Sequence, residues 1–254
     1  MLAIERRNAI LEKLQAEHRV VVSELSEIYE VSEETIRRDL DKLENEGLVI
    51  KSYGGAVLNE NTNLELPFNI RKNRNVVGKQ KIAEMISERI GEGEHIFLDA
   101  SSTAVAVARA IKGIKKLTVI TNSLEIAIEL LDAPGCKVIS TGGAATGSSF
   151  ALVGQVTDQV IRSYYVDKAI VSAKAFDMEA GFTEGDERHA HNKQSMLTCA
   201  KEKILAVDHS KFGRISFAKI CDIKDITTIV TDRRPEAEFL RRFENLGVEC
   251  IYPE

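Results

Sequence analysis

Val31-Ser32-Glu33-Glu34-Thr35-Ile36-Arg37-Arg38-Asp39-Leu40 has the pattern of an amphipathic helix that begins at a good cap. Ser32 suits the N-cap position, because its hydroxyl can accept a hydrogen bond from an unpaired N–H of the first turn. Glu33 and Glu34 then place negative charge where the helix dipole favours it. Apolar residues recur at helical spacing and predict one buried face: Ile36, Leu40 and Leu43. A polar N-terminus followed by paired arginines makes this helix a candidate reader of a DNA groove.

The segments around this helix predict a small domain over residues 1–57. The expected elements are helices at 3–17, 23–29 and 32–46 and strands at 20–22, 48–53 and 56–58. Gly47 is expected to end the third helix, and Gly54 and Gly55 turn the chain between the last two strands. This order is that of a winged helix-turn-helix, whose recognition helix lies in the major groove.

Composition limits the functional classes. The chain has 254 residues and a formal net charge of −5, which suits two domains of an ordinary globular protein. Its first 57 residues hold 8 lysines and arginines against 12 acidic residues, so DNA binding must depend on a few placed cations. No run of about 18 apolar residues predicts a membrane span, and the N-terminus lacks the apolar core of a signal peptide. We therefore expect a cytoplasmic protein without membrane contact.

Residues 58–75 are expected to form a linker that contains the start of a basic run. Positive charges accumulate between residues 67 and 81, where no acid occurs: Arg71, Lys72, Arg74, Lys79 and Lys81. The run follows the predicted DNA-binding domain and could contact phosphates. A solvated linker explains it at least as well.

Helical and strand-like segments alternate in residues 76–254. The expected strands are 95–99, 117–121, 136–140, 166–173, 203–207, 227–231 and 247–252, and the expected helices are 76–91, 103–111, 123–131, 155–163, 186–201 and 235–246. The strands are short apolar runs, as expected when both faces of a sheet are covered. Repeated strand-helix units predict an open, mostly parallel α/β sheet.

Polar residues and glycines follow three successive strands of this second domain. They are Asp99-Ala100-Ser101-Ser102-Thr103, Thr121-Asn122-Ser123 and Thr141-Gly142-Gly143. Ligands of open parallel sheets bind outside the carboxyl ends of the strands, where hydroxyls and the N–H groups of a helix N-terminus can hold anions. Each segment alone is better explained as a helix cap or a turn. Three at consecutive strand ends predict a site for an anionic metabolite.

The first domain resembles the winged helix-turn-helix of the DeoR family of bacterial transcription regulators. The resemblance rests on TIRRDL at Thr35–Leu40 and GGA at Gly54–Ala56, which are specific in combination. Many members have histidine before the paired glycines, where this chain has Tyr53. The family implies contacts with double-stranded operator DNA from the third helix and the wing. The residues in these positions are Ser32, Thr35, Arg37, Arg38, Lys51, Ser52 and Tyr53.

An alternative stays open for the paired arginines. Arg37 and Arg38 could lie on a solvated face and pair with Glu33, Glu34 or Asp41. Asp39 is interpreted as structural, with a role in orienting an arginine, because phosphates would repel its carboxylate.

Residues 76–232 resemble the effector domain of the same family, whose fold is similar to ribose-5-phosphate isomerase. The matching elements are Asp99–Thr103 with Ala100 in place of a glycine, Thr121-Asn122, Gly142-Gly143, Asp167-Lys168-Ala169, the helix with Glu187, Lys193 and Met196, and Asp208–Phe212. The resemblance implies a phosphorylated sugar or a related intermediate as effector. The candidate effector-binding residues are Asp99, Ser101, Ser102, Thr103, Thr121, Asn122, Gly142, Gly143, Lys174, Glu187, Lys193 and Lys211. For Lys193 and Lys211 a surface charge is the alternative.

These features favour a transcription regulator, and in particular a repressor of a carbohydrate-catabolism operon that a sugar phosphate releases from its operator. Such regulators pair their recognition helices, so a homodimer or homotetramer is expected. Two alternatives stay open. One is a sugar-phosphate isomerase with an appended DNA-binding domain, for which Asp186 and Glu187 are the nearest candidates for a base. The other is an architectural DNA-binding protein without an effector.

No metal, cofactor or catalytic group is expected. The four cysteines lack CxxC spacing and are interpreted as reduced thiols. His189 and His191 lie two residues apart and would face different sides of a helix. His209 precedes Ser210, but no GxSxG element accompanies them.

Overall fold

The structure is a computed structural model that describes residues 2–59, 67–147 and 149–253. The chain divides into two compact units, Met1–Arg74 and Asn75–Glu254. Each unit has its own architecture, and both agree with the fold class predicted from the sequence.

The first unit is a winged helix-turn-helix. Its helices are α1 (Ala3–Glu17), α2 (Val22–Tyr29), α3 (Glu33–Asn45) and α4 (Phe68–Asn73), and its strands are β1 (Arg19–Val21), β2 (Val49–Ser52) and β3 (Gly55–Leu58). The strands pair antiparallel in the order β1-β3-β2. Apolar residues from α1, α2, α3 and the strands form one core, in which Ile10, Leu25 and Ile36 are fully buried.

Two glycines make the wing possible. Gly54 has φ +79°, a conformation that costs glycine little and other residues more. A Cβ on Gly55 would overlap the carbonyl of Val20, because β1 and β3 pass close together there. The Gly54 carbonyl also accepts a hydrogen bond from the Val22 N–H, at 2.8 Å. The paired glycines therefore hold the wing against the start of α2.

The segment predicted as a linker contains a helix. Within 58–75, residues 60–66 lie outside the described residues, but Phe68–Asn73 form α4. Ile70 is fully buried in the core of the first unit, and the Asn73 amide donates to Glu12 of α1. Part of the segment predicted as a linker is therefore helical, because two apolar residues among its charges, Phe68 and Ile70, are buried.

The second unit is an open α/β sheet. Its helices are α5 (Val76–Ser87), α6 (Ser102–Ala110), α7 (Leu124–Leu131), α8 (Gln155–Arg162), α9 (Glu187–Thr198) and α10 (Ala237–Asn245), with short 3₁₀ turns at His209–Lys211 and Ile223–Asp225. Its strands are β4 (His95–Leu98), β5 (Leu117–Thr121), β6 (Cys136–Ser140), β7 (Ala144–Thr146), β8 (Ala151–Val153), β9 (Val166–Val171), β10 (Ala175–Asp177), β11 (Gly181–Glu184), β12 (Ala200–Ala206), β13 (Ala218–Cys221), β14 (Thr228–Val230) and β15 (Glu249–Ile251).

Seven strands form the central sheet in the order β15-β14-β12-β9-β4-β5-β6, and every neighbouring pair is parallel. The strand order reverses between β4 and β9. In such sheets a crevice opens at this point, outside the carboxyl ends of the strands. The loops after β4 and β9 are therefore expected to border a ligand site.

The sequence did not predict two smaller sheets. Strands β7 and β8 form an antiparallel pair, and β10, β11 and β13 form an antiparallel sheet. The second sheet packs on the core through stacked rings of Phe176 and Phe182, whose centroids are 4.4 Å apart. Strands of three or four residues carry too little periodicity to be recognised before their partners are known. None of the described helices has the length and apolar composition needed to span a bilayer.

Candidate functional sites

Ser32 and Thr35 form the N-terminal cap of α3. Ser32 is the N-cap residue, and its Oγ accepts a hydrogen bond from the Thr35 N–H at 3.3 Å. The two hydroxyls lie 3.0 Å apart. Ser32 is exposed, so the cap lies on the surface at the start of the helix. Any contact of these hydroxyls with DNA must be compatible with the cap.

Arg37 and Arg38 are the exposed cations of α3. Their side chains are 55% and 76% exposed, and they pair along the helix with Glu33 at 2.7 Å and Glu34 at 3.4 Å. Exposed pairs of this spacing contribute only about 0.3–0.5 kcal/mol. Both arginines therefore pair with glutamates in the absence of DNA, as the alternative interpretation expected. These pairs are weak enough for a DNA base or phosphate to displace the glutamates.

Asp39 is structural, as its sequence context suggested. The carboxylate accepts hydrogen bonds from Arg6 Nε at 2.6 Å and Arg7 Nη1 at 3.4 Å. The side chains of Arg6 and Asp39 are 9% and 5% exposed. This buried pair ties α1 to α3. Sequence reasoning missed Arg6, because its partner lies 33 positions away and neither residue is at a recognisable spacing from the other.

Lys51 is held by the recognition helix. Its Nζ lies 2.5 Å from Asp41 Oδ1 and 3.2 Å from Glu44 Oε2, and its backbone N–H donates to Glu44. These carboxylates, Asp41 first, raise the pKa of the lysine. Ser52 is exposed, and Tyr53 is fully exposed at the tip of the wing. Two acidic neighbours make Lys51 a weaker candidate for a phosphate contact than its sequence position suggested.

The cations of the basic run differ in their surroundings. Arg71 and Lys72 lie over the Phe68 ring, with centroid distances of 5.5 and 6.0 Å. Lys79 belongs to the second unit and is only 6% exposed. The suggestion that the whole run contacts phosphates is therefore wrong for Lys79, whose charge acts on buried Asp208 instead.

Asp99 and Ser101 organise the loop after β4. Asp99 is 1% exposed, and its Oδ1 accepts a hydrogen bond from Ser101 Oγ at 2.6 Å. Ser101 is the N-cap of α6, since its Oγ accepts from the Ala104 N–H at 3.0 Å. Ser102 and Thr103 occupy the buried first turn of α6. The loop thus brings a carboxylate to a helix N-terminus, where local positive charge favours it.

A buried lysine joins two carboxylates beside this loop. Lys193 Nζ lies 3.2 Å from Asp99 Oδ2 and is also hydrogen-bonded to Glu184. The three side chains are at most 7% exposed. They are called the charge cluster below: Asp99, Glu184 and Lys193. Sequence reasoning missed Glu184, because it ends β11, a strand that the sequence did not predict.

Thr121 and Asn122 are buried after β5. Thr121 Oγ1 donates to the Leu98 carbonyl at 2.8 Å and accepts from the Ser123 N–H at 3.0 Å. Its hydroxyl therefore joins β4 to β5. The Asn122 amide nitrogen donates to the Leu152 carbonyl at 3.0 Å, whereas its Oδ1 has no hydrogen-bond partner among the described residues. Asn122 is thus the better candidate of the two for a ligand contact.

The glycine pair after β6 has a structural cause. Gly142 and Gly143 have φ +64° and +114°. The Gly142 carbonyl accepts from Thr157 Oγ1 at 2.7 Å, and a Cβ on Gly143 would overlap the same hydroxyl. Packing against α8 therefore explains Gly143 without a ligand, and the left-handed φ explains Gly142.

The remaining predicted effector residues do not converge. Lys174 is half-buried, and its backbone N–H donates to the Thr183 carbonyl. Glu187 is exposed and lines a separate cavity of about 590 Å³, together with Asp158, Arg188 and His191. The structure thus places Glu184, and not Glu187, on Lys193. Glu187 and Lys193 lie on the same helix, but only Lys193 belongs to the cluster of buried charges.

Lys211 lies in the turn that follows β12. Asp208 caps this turn and accepts hydrogen bonds from the Ser210 N–H and hydroxyl at 2.9 and 2.5 Å. Burial opposes ionisation of Asp208. The charges of Lys211 and Lys79 and the hydrogen bonds from Ser210 nevertheless hold the pKa of its carboxyl below its usual value. Lys211 therefore lies at a strand end beside a buried, ionised carboxylate.

The three histidines of the second unit considered as site residues have partners within the protein. His189 Nε2 lies 3.1 Å from Ser149 Oγ, and His191 Nε2 lies 3.2 Å from Asp158. Among the described residues, no group of three His, Cys, Asp or Glu is arranged to hold a metal ion. His209 contacts Asp232, whereas Ser210 donates to Asp208. The adjacent histidine and serine therefore do not form a nucleophile–base pair with each other.

The cysteines are free thiols: Cys136, Cys199, Cys221 and Cys250. Burial raises the pKa of Cys221 and of Cys250 to about 12. Thiols with a raised pKa are poor nucleophiles at neutral pH, because the thiolate is the reactive form.

Two family models match the chain. The DeoR-like helix-turn-helix domain matches residues 6–62, and the DeoR C terminal sensor domain matches residues 74–233. The uncharacterized HTH-type transcriptional regulator YulB of Bacillus subtilis (strain 168) is 37% identical over 249 residues, which cover 98% of this chain and 96% of YulB. The Glycerol-3-phosphate regulon repressor of Escherichia coli (strain K12) is 29% identical over 241 residues, 95% of each chain.

A solved structure of ribose 5-phosphate isomerase A from Methanocaldococcus jannaschii matches 54% of this chain and 55% of its own, with a TM-score of 0.41 and 18% identity. That likeness is too remote to indicate a shared activity. The two family models together cover both units, and YulB aligns over almost the entire chain. The protein therefore belongs to the DeoR family of transcription regulators.

Proposed function

We propose that the protein is a repressor of a carbohydrate-catabolism operon and that a phosphorylated sugar or related intermediate releases it from DNA. The observation that carries the proposal is the buried charge cluster, which lies at the edge of the sheet where ligands bind. The same chain has a recognition helix with exposed arginines. The name of the E. coli relative, a regulon repressor for glycerol 3-phosphate, supports a phosphorylated effector.

In the proposed complex, α3 enters the major groove. Arg37 and Arg38 exchange their glutamate partners for base edges, and Thr35 contributes a nearby hydroxyl. Ser32 at the cap and Lys51, Ser52 and Tyr53 on the wing contact phosphates, which position the domain without reading sequence. Two copies would read half-sites about one helical turn apart, so the functional form is a homodimer or a homotetramer.

The effector site lies at the carboxyl ends of β4, β5, β9 and β12. Lys193 already faces two carboxylates, so the charge cluster is formally negative and is better suited to sugar hydroxyls than to a phosphate. The phosphate is assigned to the N-terminus of α6 at Ser101–Thr103, with Lys174 and Lys211 as candidate cations. Asn122 offers its unpaired Oδ1 to a hydroxyl donor.

A gel-shift assay tests DNA binding. The full chain is titrated against the DNA upstream of its own gene and against a scrambled fragment of equal length. We expect a complex with the upstream fragment at a protein concentration that leaves the scrambled one free. Equal affinity for both fragments at physiological salt would contradict operator recognition.

A thermal-shift panel tests the effector class. It contains ribose 5-phosphate, glucose 6-phosphate, fructose 1-phosphate and glycerol 3-phosphate, each beside its unphosphorylated parent, with inorganic phosphate as the minimal anion. A ligand that binds only the native state must raise the melting temperature. We expect at least one phosphorylated compound to do so and to weaken the operator complex. A panel without any shift would contradict the proposed effector class.

An isomerase is the alternative, because Asp99 and Glu184 could act as bases beside a bound sugar. Turnover assays with the same phosphates separate the two functions. We expect no conversion at enzyme concentrations that saturate the operator. Sustained turnover that Glu184→Gln abolishes would favour the enzyme.

A further inference from the structure

Asn75 is an unusual start for a helix. It occupies the N-cap position of α5 in the left-handed conformation, with φ 48° and ψ 47°. Asparagine is favoured at N-caps because its side chain can accept from the first helical N–H groups. Here that side chain makes no capping bond. Its amide nitrogen instead donates to Asp232 Oδ2 at 3.1 Å, across 157 positions of sequence.

Asp232 also holds the turn that contains Lys211. Its Oδ1 accepts from the His209 backbone N–H at 2.7 Å, and its Oδ2 lies 2.8 Å from His209 Nδ1. The carboxylate follows β14, and its side chain is 3% exposed. One buried side chain thus bonds both to the N-cap residue of α5 and to the loop after β12.

Gly78 keeps the space for this junction. A Cβ there would lie 2.5 Å from Asp232 Oδ2 and would also overlap the Asn75 amide. The position is helical and does not need glycine for its backbone conformation. Alanine would be preferred in a helix by about 1 kcal/mol. Glycine is therefore explained by the space that Asn75 and Asp232 occupy and not by the conformation of the helix.

A second connection runs parallel to the first. Lys79, on the first turn of α5, is buried. Its charge acts on Asp208, which caps the turn that contains Lys211. The Lys79 N–H donates to the Asn75 carbonyl at 3.0 Å, so the two connections share one helical turn. Asn75 is also the residue at which the second unit begins, directly after Arg74.

We propose that Asp232 is a positioning residue that couples the turn at 208–211 to Asn75 and so transmits effector binding to the chain segment that joins the two units. The inference rests on the proposed function for the effector, since Lys211 on this turn is one of the candidate phosphate ligands. The bond between Asp232 and Asn75 is the contact through which effector binding reaches that segment. The residues that carry it are His209, Asp232, Asn75 and Gly78.

Hydrogen exchange of the full chain without ligand tests the coupling. The His209 N–H bonds directly to Asp232 and reports on the junction from the side of the turn. Asn75→Gly keeps the left-handed backbone and removes only the amide. We expect about fivefold faster exchange at the His209 N–H, the factor expected for one lost hydrogen bond. Lys116→Gly is the matched control, because Lys116 is exposed and also has a positive φ, of 59°.

Two further variants disturb the same contacts, one from Gly78 and one from His209. Gly78→Ala should produce the same acceleration at His209, whereas Gly113→Ala, which meets nothing within 4 Å, should not. His209→Ala should accelerate exchange at the Lys79 N–H on α5. Unchanged exchange at His209 in Asn75→Gly, with the variant folded by circular dichroism, would overturn the coupling. So would equal acceleration in Lys116→Gly.

A measurement with ligand shows whether effector binding is transmitted to Asn75 or only stabilises the turn at 208–211. The exchange measurement is repeated with each compound of the phosphate panel. In the wild type, an effector should change exchange in 207–213 and in 75–79. In Asn75→Gly it should still bind, but it should change exchange only in 207–213. Equal changes in 75–79 for both proteins would overturn transmission. If no compound changes 207–213 in the wild type, the proposed effector class fails, and the ligand-free result still decides the coupling.

Discussion

Asp39→Ala should destabilise the first unit far more than any exposed substitution on the same helix. The variant leaves the Arg6 guanidinium, whose side chain is 9% exposed, without the carboxylate that lies 2.6 Å from it. Removing one partner of a buried ion pair costs about 3–5 kcal/mol, because the remaining charge stays desolvated. The weaker contact of Asp39 with Arg7, at 3.4 Å, is lost at the same time.

For a domain of this size, 1 kcal/mol corresponds to about 4–8 °C in melting temperature. We therefore expect the transition of the first unit to fall by about 12 °C or more. The assay is thermal unfolding of the full chain, followed through hydrogen exchange or circular dichroism so that the transitions of the two units can be assigned. Asp41→Ala is the control, because the side chains of Asp41 and its partner Lys51 are 49% and 40% exposed and their pairing should matter little.

Asp39→Asn separates charge from shape. It keeps an oxygen acceptor for Arg6 but removes the negative charge, so its loss of stability should lie between those of wild type and Asp39→Ala. The double variant Arg6→Met with Asp39→Leu removes both charges and should recover much of the loss. If Asp39→Ala unfolds at the temperature of Asp41→Ala, the buried pair does not stabilise the domain as argued.

The other predictions address the two sites and the chemistry of the second unit. Arg37→Ala or Arg38→Ala should weaken operator binding by about 1–3 kcal/mol if the arginine reads a base, and gel-shift titration measures this. Lys211→Ala should leave operator affinity unchanged and reduce the response to the effector; an intact response would remove Lys211 from the site. Asp186 has its pKa lowered to about 2, chiefly by Arg188. Its stabilisation should be complete above about pH 4 and lost as the pH falls through about 2, so Asp186→Asn should lower the urea midpoint at pH 6 by more than at pH 2. Cys221, with its pKa raised to about 12, should resist alkylation at pH 8 until the protein unfolds; rapid labelling of the native protein would contradict its burial.

Local signals predicted most of the secondary structure. Ser32 is the N-cap of α3 as expected, Gly47 has the positive φ expected after a helix, and β5 and β6 have the predicted bounds. These features depend on neighbouring residues, because capping and side-chain periodicity act within a few positions. The sequence did not predict α4, because its cations indicated a solvated linker and only Phe68 and Ile70 indicated a buried face.

The candidate effector site was predicted less completely. The sequence placed Asp99 and Lys193 among its residues, and the structure brings them within 3.2 Å. Glu184, the second carboxylate beside Lys193, was not among the predicted residues, because it ends β11, whose pairing becomes visible only in the structure. For Gly143, the structure supplied a packing reason that does not involve a ligand.

The sequence alone determined the class of the protein: a capped helix with paired arginines, a glycine-turned wing and alternating strands and helices. Only the tertiary structure decided which charged side chains are exposed and which are buried with a partner. Arg6 and Asp39 meet across 33 positions, Lys79 is buried although it belongs to the basic run, and Asn75 reaches Asp232 across 157 positions. The physical reason is that helix and strand patterns arise from near neighbours, whereas burial of a charge depends on partners that only the folded chain brings together.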